Sequence, residues 1–127
     1  MANTDVDEAE RVCGEAVVRH PLAAELHYLH AVLLLGLGRG ADAADAARRV
    51  VYLDRTLAAA HFLLGSILPQ EGSRDGACRS YRNARDFASA RPPGEEVPLA
   101  EGETAGTLAA RAERQRARLA AVEEAQP

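Results

Sequence analysis

Residues 24–38 read AELHYLHAVLLLGLG, and residues 58–72 read AAAHFLLGSILPQEG. Laid over one another at a shift of 34 residues, they place His27 on His61, Tyr28 on Phe62, Leu29 on Leu63, Ala31 on Gly65, Leu34 on Leu68 and Gly38 on Gly72. The register continues downstream, with Ala43 on Ala77, Arg48 on Arg82 and Val50 on Ala84. A fixed period of this length marks a repeat built from one supersecondary unit. The residue types say which unit. Long apolar residues recur at helical spacing, and small residues (Ala31, Gly65, Ala43, Ala77) stand where two helices must approach closely. Gly38 and Gly72 end the first helix of each unit, where a left-handed cap disfavours a Cβ. The repeat is therefore a helix–turn–helix hairpin.

The composition agrees. The chain has 127 residues, 27 of them alanine, with one Ile and no Trp, so strand formers are scarce and helix formers abundant. All 15 basic residues are Arg, a bias of genome composition rather than function. A net charge of −4 supplies no general attraction for nucleic acid or anionic lipid. No apolar run reaches the ~20 residues of a membrane span, and the N-terminus lacks a basic-then-apolar leader. These features predict an all-α cytoplasmic protein without membrane insertion. Cys13 and Cys78 are too few for a disulfide framework and read as reduced, packed thiols.

Carried backwards by one period, the register sets Ala9, Cys13, Ala16 and Pro21 on Ala43, Ala47, Val50 and Arg55. Residues 5–21 then read as the second helix of a repeat whose first helix is missing. Its apolar stripe (Val6, Ala9, Val12, Cys13, Ala16, Val17) needs cover. Either the chain is a fragment of a longer protein, which we favour, or it forms a homodimer through this half-repeat. Full repeats occupy 24–57 and 58–91, making a repeat domain over 1–91. Arg91-Pro92-Pro93-Gly94 breaks the last hairpin. Residues 92–103 hold four glutamates and no base, and read as an exposed acidic linker. Thr104 is the expected N-cap of a final helix over 104–125, with Leu108, Ala112, Gln115, Leu119 and Val122 on its apolar stripe. Pro69 predicts that the preceding helix ends or kinks near Leu68.

A 34-residue period with these residue classes resembles the tetratricopeptide repeat (TPR), which implies a helical hairpin solenoid with a C-terminal capping helix. The words His61-Phe62-Leu63-Leu64-Gly65, Arg79-Ser80-Tyr81-Arg82-Asn83-Ala84 and Val97-Pro98-Leu99-Ala100-Glu101-Gly102-Glu103-Thr104-Ala105-Gly106 are similar to one group of such domains. That group is the TPR region attached to CheR-type chemoreceptor methyltransferases, and the similarity runs over residues 20–110. It implies a regulatory, protein-binding module whose partners are segments of chemoreceptors or of the methyltransferase domain. A free-standing TPR adaptor of another bacterial assembly is the alternative. The chain itself has no alternating strands and helices and no Gly-rich nucleoside loop, so it is expected to be no enzyme and to need no cofactor.

TPR geometry implies a concave groove lined by positions 2, 5, 9 and 12 of each repeat. Those are Glu25, Tyr28, Val32 and Leu35, then Ala59, Phe62, Ser66 and Pro69. Glu25, Tyr28, Val32, Leu35, Phe62 and Ser66 are the candidate partner-binding residues, with Tyr28 and Phe62 as aromatic anchors for an apolar peptide. The competing reading is that the last helix covers these residues and makes them core. The Lys and Asn with which chaperone-type TPRs grip a terminal carboxylate are absent from these positions. His27 and His30, three apart on one helix, have no Cys or acidic third ligand at metal-binding spacing, and His61 repeats His27 one unit later, so packing is expected and no metal. Arg48, Arg49, Arg79, Arg82 and Arg85, with Arg111, Arg114 and Arg118, have no interleaved aromatics for base stacking. They read as solvated faces paired with Asp45, Asp75, Asp86 and Glu113, with an acidic receptor segment as the partner otherwise open to them.

Overall fold

The computed structural model describes residues 4–125. Six helices follow one another, α1 (Thr4–Arg19), α2 (Ala24–Gly36), α3 (Gly40–Leu53), α4 (Ala58–Ile67), α5 (Arg74–Ser89) and α6 (Ala105–Ala125). No strand forms among the described residues; a single antiparallel bridge joins Glu96 to Thr104. The chain divides into two compact units, Met1–Arg55 with α1 to α3 and Thr56–Pro127 with α4 to α6.

The period reaches the backbone hydrogen bonds. At the end of α2, Gly38 N–H donates to Leu35 O at 3.0 Å and Arg39 N–H to Leu34 O at 2.9 Å. After α4, Gly72 N–H donates to Pro69 O at 3.2 Å and Ser73 N–H to Leu68 O at 2.9 Å. These are Schellman caps, which satisfy the last helical carbonyls by turning one residue left-handed. Gly38 and Gly72 supply it, at φ of 76° and 84°. Pro69 acts as its chemistry requires: α4 stops at Ile67 and Leu68–Glu71 continue as one 3-10 turn.

Packing within each hairpin follows the small residues. Ala31, Ala43 and Ala47 are buried in the first hairpin, α2–α3, and Ala77 and Ala84 of α5 are buried in the second. In the second hairpin Gly65 lies under the Tyr81 ring, so close that a Cβ there would stand 2.9 Å from Cδ1. The first hairpin has Ala31 and Ala47 at the same two positions, and a smaller pair fills that space. His27 and His61 are both buried. His27 Nε2 meets the Pro21 carbonyl at 2.8 Å, and the His61 ring stacks on Phe87 at 5.1 Å.

Residues 92–103 are the acidic segment that joins α5 to α6. Most are exposed, yet Val97 is only 3% exposed. Its N–H donates to Glu103 O, while Ala105 N–H donates to Glu95 O and Gly106 N–H to Pro93 O. Glu103 is spent on Arg111 at 2.6 Å and Glu95 on Arg91. The segment is a folded double turn pinned by one valine, because two short turns bring its ends together and its charges find bases nearby. Thr104 caps α6 through a bond from Thr107 N–H to its Oγ1 at 3.4 Å. α6 lies along α5 and touches α4, with Leu108 and Ala112 buried; Leu119 is half-buried and Val122 is exposed.

Candidate protein-binding groove

In the first unit, α1 lies across α2 and is tied to it on one flank by polar groups. Glu10 accepts from or pairs with His30 Nε2 at 2.8 Å and stands 3.5 Å from Arg39. Val17 belongs to this flank, beside a polar hollow of about 300 Å³ that also touches His27, His30 and Asp42. Arg11, between Glu8 and Glu15, faces outward and braces α1 along its exposed side.

The other flank is apolar. Ala9, Val12, Cys13 and Ala16 of α1 face Leu26, Leu29 and Leu33 of α2 across a groove of about 510 Å³. Asp5 and Glu8 stand at the N-terminal end of α1 as the charged groups of the lining. Val12 and Leu29 are each 48% exposed, so the groove offers two large apolar side chains to an incoming one. Cys13 forms its floor; its Sγ meets the Leu26 carbonyl at 3.4 Å, and burial raises its thiol above the ordinary pKa. A raised pKa keeps the thiol neutral and makes it a packing group rather than a nucleophile. The stripe expected on α1 is thus split by α2. Ala9, Val12, Cys13 and Ala16 line the open groove, and Val17 falls on the polar flank.

Among the residues singled out as partner-binding, Glu25, Tyr28, Val32 and Leu35 share one face of α2. Glu25 and Val32 are exposed, and Tyr28 and Leu35 are half-buried. Leu29 and Leu33, on the adjoining face, were not among the candidates. The residues of α2 are apolar around most of its circumference, so periodicity alone could not single out the side that α1 leaves open. The positions on α4 are more enclosed. Ala59 is buried, and Ser66 is half-buried with its hydroxyl donating to Leu63 O at 2.7 Å. Phe62 sits edge-on to Tyr81 at 5.2 Å, with the Arg111 guanidinium 4.5 Å above its ring and Leu119 against the same cluster. The final helix thus lies against one side of Phe62, which stays half-buried.

No group of His, Cys, Asp or Glu among the described residues could hold a metal ion, and none of the described helices is long and apolar enough to cross a membrane. No family model and no curated protein matches the sequence. Solved structures do. PcrH, solved in complex with the chaperone binding region of PopD, superposes with a TM-score of 0.80 at 20% identity, over 94% of this chain and 81% of that one. A chain of a T3SS complex from Aeromonas hydrophila gives 0.80 at 23% identity, over 96% and 74%. MamA gives 0.65 at 18% identity, over 94% of this chain and 61% of its own. At these identities the likeness establishes the fold, and the fold is an all-α domain of the TPR type.

Proposed function

We propose that this chain is a non-enzymatic protein-interaction module that holds an apolar segment of a partner protein in the groove between α1 and α2. The observation that carries the reading is the groove itself, about 510 Å³ of apolar surface left open between two packed helices. An amphipathic helix or extended segment would bury two or three alternate side chains there, which is the helix-in-groove mode of recognition. Asp5, at the N-terminal end of the lining, favours a base at one end of that segment. The likeness to PcrH, solved with a bound region of PopD, supports the adaptor or chaperone setting. The link to a CheR-type methyltransferase rests on the sequence words at 79–84 and 97–106 and gains nothing from the compared structures; the groove would serve that setting equally. The candidate face of Glu25, Tyr28, Val32 and Leu35 adjoins the groove on α2 and would extend it.

The test uses fluorescein-labelled amphipathic peptides with apolar residues at i, i+3 and i+7 and one terminal Arg, read by anisotropy. Binding should weaken at least tenfold in Leu29→Arg and in Val12→Arg, with unchanged helix content, because both side chains are half exposed. Undiminished binding in both variants would refute the groove. A second copy of the chain is the other reading of the same surface, as the apolar stripe of α1 suggests. Light scattering decides it: a stable dimer that either substitution splits would replace the peptide reading.

A further inference from the structure

Asp75, Cys78, Arg79 and Arg82 of α5 face Arg116 and Ala120 of α6 across a recess of about 410 Å³. Three arginines therefore line one recess, together with two small side chains, Cys78 and Ala120. Arg116 is fixed in place, with Nε and Nη2 donating to both oxygens of Glu113 at 3.0 and 2.7 Å. Glu113 is also held by Arg85 at 2.6 Å, so its charge is shared between two guanidinium groups. Arg79 and Arg82 are exposed and make no ion pair among the described residues. Asp75, one turn before Arg79, was expected to neutralise this face; it makes no ion pair either. The recess is thus a local excess of positive charge on a chain whose net charge is −4.

We propose that this recess is a docking site for an acidic peptide segment of a partner protein. Arg79 and Arg82 lie one helical turn apart, about 4.5 Å along α5, a spacing that neighbouring carboxylates of one peptide span. A guanidinium fork matches a carboxylate through two parallel hydrogen bonds, so two free forks beside a fixed one favour carboxylates presented together. Nucleic acid fits less well. The lining holds no aromatic ring for a base, Asp75 stands inside the recess, and the chain's net charge opposes a polyphosphate. The site is separate from the α1–α2 groove and does not depend on it.

The probe is a fluorescein-labelled peptide carrying a run of four Glu within a Gly/Ser frame, measured by anisotropy against the full chain at low and moderate salt. Its Gln counterpart, inorganic phosphate as competitor and a single-stranded oligonucleotide of equal charge are compared with it. The Glu peptide should bind, and Arg79→Gln with Arg82→Gln should weaken it about tenfold. Gln is a comparable helix former, so circular dichroism should not change. Arg48→Gln with Arg49→Gln, on α3, should leave the affinity unaltered. The proposal is overturned by equal binding of the Gln peptide, by equal loss in the α3 variant, by tighter binding of the oligonucleotide, or by displacement at phosphate concentrations matching the peptide's own.

Discussion

Gly65→Ala is the substitution that most directly questions the close approach of α4 and α5. A methyl at this position would stand 2.9 Å from Tyr81 Cδ1 and 3.0 Å from both Cε1 and Cγ. Those are ring atoms, and Cγ is anchored directly to Cβ, so the clash is not with the loose end of a flexible chain. Nor can the ring swing away: Tyr81 is 4% exposed and is gripped edge-on by Phe62, with Ala84 and Ala112 beside it. Overpacking of this kind costs about 2–3 kcal/mol. Replacing a helical glycine by alanine returns about 1 kcal/mol. The net expectation is a loss of about 1–2 kcal/mol, which urea titration followed by helical circular dichroism resolves. Gly36→Ala, at the end of α2 with nothing within 4 Å of the new methyl, isolates the propensity gain and should be neutral or stabilising by up to about 1 kcal/mol. Tyr81→Leu completes the cycle. With a shorter, pliable side chain opposite, Gly65→Ala should cost nothing, leaving a coupling of about 1–2 kcal/mol between the two positions. An unchanged or raised stability of Gly65→Ala beside Tyr81, or the same loss beside Leu, would refute the packing argument.

Two further outcomes follow from the turn region and from α6. Leu99 and Glu101 hold left-handed backbone at φ of 66° and 54°, so Leu99→Gly should relieve about 1 kcal/mol of strain at a position with modest burial, seen as a higher urea midpoint; a lower midpoint would show that the Leu99 side chain matters more than its backbone. Hydrogen bonds from Arg116, then Arg85, hold the Glu113 carboxyl at about 2, below its ordinary 4.5. A depressed carboxylate stabilises the fold above its unfolded pKa, and that contribution fades as pH falls from about 5 towards 2. Melting temperature over that window should therefore fall more steeply for the native chain than for Glu113→Gln, and parallel curves would contradict the assignment.

What could be read from residues alone was whatever is local or repeats. Gly38 and Gly72 announce their caps because only their backbone conformation matters, and Thr104 announces its cap because its hydroxyl reaches three residues ahead. Pro69 stops its helix for reasons confined to one turn. The site was less legible because it depends on what lies over each helix. Whether Phe62 stood open in the groove or under the last helix could not be read from its repeat position, because its neighbours Arg111 and Leu119 come from about fifty residues downstream. Val97 was masked by the four glutamates around it, of which Glu95 and Glu103 pair with Arg91 and Arg111 once the turns have formed. Leu29 and Leu33 were hidden for the opposite reason. On a helix apolar nearly all round, an open face carries no signature of its own, and it emerges only when α1 covers one side and leaves the other. The two hairpins share a backbone register down to equivalent hydrogen bonds, so the register cannot be what separates their roles. The difference lies in side chains. Where the second hairpin fills its interior with Tyr81 and has Arg111 of α6 over Phe62, the first has Ala47 at the corresponding position, and Leu29 on it and Val12 on α1 stay exposed. Partner binding is therefore expected to follow the first hairpin's apolar surface rather than the repeat pattern, and substitutions at equivalent repeat positions should have unequal effects on it.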